Sequence, residues 1–209
     1  QYGKTQNKGQ SARKSQDLIF FDSKVGYNIN KKWDFFGAVN FISQFDNGFT
    51  YGTDSLGNET ATVISKFMSP GYLTEAIGLR YQPVDYFWAR IGVIAFRQTF
   101  VTDTSLYQNV PNNYGVSIGK RMLNQPGAQI LSEFKKNLAP NITLLVRYLG
   151  FAPYQDLNLF SHRIDAVLTA KITKFINLSV TGIGIYDPSQ DVNWQTSTVV
   201  SLGLLFQLK

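Results

Sequence analysis

The sequence predicts an all-β fold: an antiparallel meander closing into a transmembrane β-barrel, with residues 1–209 as a single domain. Three observations carry this. Runs of alternating apolar and polar residues fill most of the chain, and a period of two marks strands with two unlike faces. The joints between runs alternate in length, tight at 30–32, 83–85, 137–141 and 174–175 and long at 46–66, 103–126, 151–160 and 187–193. Short turns at one end with long loops at the other is the layout of an outer-membrane barrel. The third observation is composition: aromatics reach 14%, with 16 Phe and 11 Tyr, while charged residues are only 16%, against roughly 25% in ordinary soluble domains. Mean hydropathy is nevertheless −0.13, and no run approaches the ~18 apolar residues of a membrane helix. Both facts follow if only alternate residues meet lipid.

Taken in order, residues 17–30 set Phe21, Val25, Tyr27 and Ile29 against Asp22, Lys24, Gly26 and Asn28. After a turn at Asn30, Lys31 and Lys32, residues 33–45 set Phe35, Val39, Phe41 and Phe45 against Asn40 and Gln44, completing a hairpin. Residues 72–82 oppose Ile77, Leu79 and Tyr81 to Thr74, Ala76, Gly78 and Arg80, and Pro83 stops the strand because it has no N–H to give a ladder. Residues 86–102 place Phe87, Ala89, Ile91, Val93 and Ala95 opposite Trp88, Arg90, Gly92 and Gln98, with both faces partly apolar. Strands 128–136 and 142–148 turn Ile130, Phe134, Ile142, Leu144, Val146 and Tyr148 one way and Gln129, Glu133, Lys135, Thr143 and Arg147 the other. In 161–173, Ile164, Ala166, Leu168, Ala170 and Ile172 face away from Arg163, Asp165, Thr169 and Lys171. Strands 176–186 and 194–208 finish the meander, the last with Thr198, Val200, Leu202, Leu204, Phe206 and Leu208 against Ser197, Ser201, Gly203 and Gln207. No run carries the i, i+3, i+4 pattern of a helix.

A soluble β-sandwich or lipocalin-like binding protein, with the apolar face turned inward, is the competing all-β reading. It fits less well, because its surface needs more charge and its long loops seldom share one end. Aromatics also collect near strand ends: Tyr27, Trp33, Tyr81, Tyr86 and Phe175 by the short turns, and Phe45, Phe67, Tyr72, Phe100, Tyr154, Tyr186 and Trp194 by the long loops. Two such bands match the girdles of a membrane barrel. Short turns face the periplasm in bacterial barrels, so the expected address is the bacterial outer membrane, with a periplasmic C-terminus and extracellular long loops. The basic segment 4–16 is then an external loop, and residues 1–3 are the upper tip of an ascending strand. About nine complete strands are visible. Lipid does not tolerate an open edge and bacterial barrels have even strand numbers, so about three more N-terminal strands are expected, giving about twelve in the full-length protein.

Composition also excludes. With no cysteine there is neither a disulfide framework nor a thiolate metal site, and Asp103, Asp187 and Asp191 lie in loops without a calcium-binding pattern. No cofactor or metal is expected. The N-terminus has no apolar signal-peptide core, so an export signal has been removed or the sequence begins partway along the natural chain. A net charge of +6 and a pI near 9.4 raise the question of nucleic acid, but the basic residues are dispersed instead of forming one stripe. The expected partners are outer-membrane lipid and other envelope proteins of a larger complex, not nucleic acid.

Four segments carry a family resemblance: Arg13 to Asp17 leading into a strand, Ile64 to Tyr72 (Ile-Ser-Lys-Phe-Met-Ser-Pro-Gly-Tyr), Gly78 to Pro83, and Gly184 to Asp187. In order and spacing the chain resembles, from about Gly3 to Lys209, an uncharacterised family of outer-membrane β-barrels in Bacteroidota-type bacteria, described as a domain of unknown function. The resemblance implies a fold and a location, and it implies further strands before the position matching Gln1. It implies no activity and no functional residues.

With the apolar face toward lipid, the opposite face carries Arg80, Arg90, Glu133, Arg147, Arg163, Asp165 and Lys171. Charges there must be hydrated or paired. One reading is a cation-rich, water-filled lumen that favours small anionic solutes. The other, preferred, is an Arg–carboxylate network that stiffens the interior, with Glu133 beside Arg147 and Asp165 beside Arg163 or Arg147, and with the loop 103–126 free to constrict the pore. Either way the expectation is a noncatalytic barrel, a small porin-like pore or a subunit or scaffold of an envelope complex. An outer-rim lipid hydrolase is the alternative with an activity. It would use His162, the one histidine; neighbouring Ser161 cannot serve as its nucleophile, because adjacent strand residues point to opposite faces.

Overall fold

The computed structural model describes residues 2–5, 13–173, 175–189 and 191–204. In chain order the strands are β1 (Tyr2–Thr5), β2 (Arg13–Asp17), β3 (Ile19–Asn28), β4 (Trp33–Ser43), β5 (Gly48–Thr53), β6 (Glu59–Ser65), β7 (Gly71–Val84), β8 (Phe87–Phe100), β9 (Met122–Ala139), β10 (Ile142–Pro153), β11 (Ser161–Lys171), β12 (Ile176–Asp187) and β13 (Asp191–Leu204). Single 3-10 turns occupy Leu106–Gln108, Asn113–Gly115 and Leu157–Leu159. The fold is all-β. Nine strands form one sheet in the order β13-β12-β11-β10-β9-β8-β7-β4-β3, while β1 pairs with β2 and β5 with β6. Those nine are the strands that sequence alternation delineates, and from β9 to β13 every neighbouring pair is antiparallel. Among the described residues the sheet ends at β3 and at β13.

The tight joints have local causes. Asn30 Oδ1 accepts from the N–H groups of Lys32 and Trp33 at 2.9 and 3.1 Å, and Thr173 Oγ1 accepts from those of Phe175 and Ile176 at 3.1 and 3.0 Å. Each side chain satisfies backbone donors that the reversal takes out of the ladder. The segment 4–16, read as an external loop, contributes paired residues to β1 and β2, and 187–193, read as a long loop, is a tight joint between β12, which runs to Asp187, and β13, which starts at Asp191. Two further features depart from the sequence reading. The segment 46–66, read as one long loop, contains the β5–β6 hairpin, closed by Asp54, whose carboxylate accepts from Leu56 and Asn58 N–H. Most of this hairpin is exposed, all but Gly48 and the end of β6, so a covered face imposes little alternation on its sequence. The second departure is in β8, where Val93 and Ile94 are both exposed and Ala95 and Thr99 are buried. A one-residue phase change of this kind exchanges the faces of everything beyond it, so Ala95 lies on the covered side, where the unbroken alternation had put Gln98.

The chain divides into two compact units, Gln1–Lys24 with Ala38–Glu75 and Phe96–Pro126, and Val25–Gly37 with Ala76–Ala95 and Gly127–Lys209. In the second unit the covered face of the strands holds Asp34, Arg90, Gln129 and Thr181, with Arg90 only 4% exposed, whereas Phe35, Ile77, Leu79, Ile91, Val93 and Leu202 stand exposed, Val93 at 59%. The first unit shows the same inversion: Asn40, Thr74 and Thr99 are each 2% exposed while Val39 and Phe67 are open. Its loops enclose a small apolar cluster of Val101, Tyr114 and Val116, flanked by Val110 and Leu123.

Glycine sets the approach of β7 to β8. A Cβ on Gly78 would collide with the Ile91 carbonyl oxygen and stand 2.7 Å from Gly92 Cα, so the backbones must part to admit one. Gly78→Ala is expected to cost about 1–3 kcal/mol in urea unfolding. Gly182→Ala, whose Cβ meets nothing within 4 Å, should stay within ~0.5 kcal/mol of the parent.

Candidate functional site

The covered face gathers its charges in two places. On β9, β10 and β11, strand register sets Arg147 directly opposite Glu133 on one side and Asp165 on the other. Arg147 Nη2 donates to Glu133 Oε2 at 2.7 Å. Arg163 lies two residues from Asp165 on the same face and grips it with both ends of its guanidinium, Nε to Oδ2 at 2.9 Å and Nη2 to Oδ1 at 2.7 Å. The four side chains retain between 17% and 30% of their exposure. They are shielded enough for fixed geometry to matter and open enough to keep some water. Two guanidiniums against two carboxylates make the row formally neutral.

The second cluster centres on Trp88. Arg80 pairs with Asp34 at 2.9 Å and donates to Gln82 at 2.6 Å, and its guanidinium carbon lies 5.7 Å from the Trp88 ring. From Arg90 the same ring is 4.8 Å away, and the Phe36 ring 5.7 Å. Trp88 therefore lies within cation–π reach of two guanidiniums, which helps hold a buried Arg90 on a shielded face. Of the seven residues predicted from sequence, Glu133, Arg147, Arg163 and Asp165 form one group and Arg80 and Arg90 another. Lys171 joins neither: it is exposed at the end of β11, its N–H bonded to the Asn141 carbonyl at 2.8 Å.

Three participants were missed. Asp34 and Trp88 were each readable from parity, since Asp34 alternates with Phe35 and Trp88 shares the face of Arg90. Arg97, 5.6 Å from the Tyr72 ring, was hidden by the phase change in β8. Tyr72 itself, expected in an aromatic band, shares the face of Thr74.

The long loops of the first unit are tied together. The loop 103–126, expected to be able to fold inward, packs on β6: Asn109 Nδ2 donates to the Val63 carbonyl at 2.8 Å and the Tyr114 hydroxyl to that of Ile64. Lys66 Nζ meets Asp103 at 2.6 Å, and this lysine, with the Ser105 hydroxyl and N–H, holds the Asp103 carboxyl well below the usual range. Burial pushes the Tyr114 phenol up to about 12 from 10.0. Because the folded pKa is the higher one, the stabilisation is complete below pH 10 and is lost as pH rises through about 12. Limited proteolysis of the loops should therefore accelerate across that window. Tyr114→Phe should abolish the alkaline step while costing about 1 kcal/mol at neutral pH for the lost hydrogen bond.

His162 and Ser161 lie on opposite faces. Ser161 is buried, its hydroxyl 3.4 Å from the Phe151 carbonyl, whereas His162 Nδ1 bonds the Tyr148 hydroxyl at 2.7 Å. The imidazole sits among Phe160, Tyr148, Tyr186 and Trp194, with ring centroids 4.1 to 6.1 Å away. Among the described residues no group of three or more His, Asp or Glu is placed to hold a metal ion.

Fold and site define an all-β protein whose main sheet exposes many aliphatic and aromatic side chains and covers charged and polar ones beside Phe36, Leu131, Leu149 and Phe151. Residues 1–49, from β1 into the start of β5, match the model of a family described as a protein of unknown function (DUF3078). A search of curated proteins and a search of solved structures gave no match.

Proposed function

We propose that this protein is a noncatalytic outer-membrane β-barrel of a Gram-negative, Bacteroidota-type envelope, acting as a small pore. The observation that carries the reading is the inverted sheet. Exposing Ile77, Leu79, Ile91 and Val93 while covering Arg90, Gln129 and Thr181 is costly in water and favourable where the outer solvent is hydrocarbon. Strand length allows it: every strand of the main sheet, from 10 residues in β3 to 18 in β9, reaches the ~9–11 residues that a tilted transmembrane strand needs. In this reading the long loops are extracellular and the C-terminus periplasmic. The covered face then borders the lumen, where Arg80, Arg90, Arg147 and Arg163 outnumber Asp34, Glu133 and Asp165 by one charge, a slight bias toward anionic solutes.

A second reading, a barrel that serves as scaffold or subunit of an envelope complex, is favoured by the pairing of Arg80, Arg147 and Arg163 with carboxylates, which stiffens an interior without opening it. Refolding into vesicles followed by planar-bilayer recording separates the two. Discrete anion-preferring conductance supports the pore. Electrically silent protein that folds into the vesicles and co-purifies from native membranes with fixed partners supports the scaffold. Protein that enters no bilayer excludes both.

A further inference from the structure

The short turns of the second unit carry a feature that neither lumen nor loops account for. They are stitched side by side, Gln82 N–H to the Lys32 carbonyl, Lys135 N–H to that of Tyr86 and Lys171 N–H to that of Asn141, each at 2.8 Å. Along this rim Lys31, Lys32, Lys135, Lys136 and Lys171 are all exposed, and none has a carboxylate partner among the described residues. The carboxylates nearest in sequence are Asp34 and Glu133, already paired with Arg80 and Arg147, and exposed Asp85. Aromatic rings lie at the same level: Trp33 stacks on Tyr81 at 4.6 Å and Tyr86 meets Phe134 edge-on at 5.7 Å. Lys136 Nζ lies 4.4 Å from the centre of the Tyr86 ring.

Rings fix a depth at the boundary between hydrocarbon and headgroups. The stem of Lys136, on the parity of Phe134 and against the Tyr86 ring, runs along them to the level of the phosphates. Lys31, Lys32, Lys135 and Lys171 add their charge from the exposed strand ends and turns. Five lysines against one exposed carboxylate complement a negatively charged surface, not a zwitterionic one. Building on the barrel reading, we infer that the short-turn rim docks on the headgroups of anionic phospholipid, the periplasmic leaflet in the proposed orientation.

The test compares folding of the protein, followed by heat-dependent gel mobility, into vesicles of phosphatidylcholine alone and of phosphatidylcholine mixed with phosphatidylglycerol. At low ionic strength partition into the mixed vesicles is expected to be at least about tenfold higher, with the preference fading at high salt. Changing all five lysines to glutamine should reduce the preference below about twofold while folding into phosphatidylcholine continues. Changing them to arginine, or making Lys120→Gln with Arg121→Gln in the long loop, should preserve it. Should the fivefold glutamine variant not fold, Lys32→Gln and Lys136→Gln carry the same test singly, each lowering the preference about threefold. Equal folding into both vesicles, or a glutamine variant with undiminished preference, overturns the inference and leaves the barrel standing. Protein that folds into neither vesicle overturns both.

Discussion

Ile77→Arg is expected to destabilise the bilayer-folded protein by about 2–4 kcal/mol, the cost of an arginine on the lipid face near mid-membrane. Ile77 sits at the middle of β7 and is 45% exposed, between covered Ala76 and Gly78. At a water-facing position of a soluble protein the same change lies within about 0.5 kcal/mol of neutral. Urea titration of protein folded in vesicles reads the difference directly. A neutral Ile77→Arg means that this face meets water, and the barrel reading then fails. Leu79→Arg, 43% exposed and nearer the short turns, should cost less, because the penalty declines toward the interface.

Arg147→Glu should act on both stability and ion preference. It places three carboxylates in one row across β9, β10 and β11, with Glu133 and Asp165 flanking the new acid in register. Like charges directly opposed on a sheet repel, and removing one partner strands a half-shielded charge. A fully buried pair broken this way costs roughly 3–5 kcal/mol; with Arg147 still 30% and Glu133 20% exposed, about 2 kcal/mol is expected here after allowing for solvent screening. The double variant Glu133→Arg with Arg147→Glu restores opposite charges across β9 and β10 and should recover most of that loss. In a conducting barrel the single variant lowers the row by two charges and should turn the reversal potential under a salt gradient from anion toward cation preference. A loss of stability that the double variant recovers, in a protein that stays electrically silent, favours the scaffold.

Much of this architecture could be read before any coordinates. Phe35, Val39, Ile77 and Leu79 recur at a period of two, the mark of a strand with two unlike faces. The charged set was also legible, because Glu133, Arg147, Arg163 and Asp165 fall on one parity. The reading broke down where parity was not enforced. β5 and β6 are exposed over most of their length and so carry little pattern, and β8 changes phase at Val93 and Ile94, taking Arg97 with it. Tyr114 and Ile64, which tie the loops together, are 50 residues apart, too far for any local signal.

Sequence alone was enough for the nine strands of the main sheet and for their faces up to the phase change in β8, since these follow from near-neighbour alternation and turn chemistry. Tertiary structure decided which charges meet. Register sets Arg147 between Glu133 and Asp165, brings Asp34 to Arg80, places Trp88 within reach of two guanidiniums and leaves Lys171 on the rim. Pairing across strands depends on where each strand begins against its neighbour, and a one-residue offset that alternation alone does not specify is enough to change every partner.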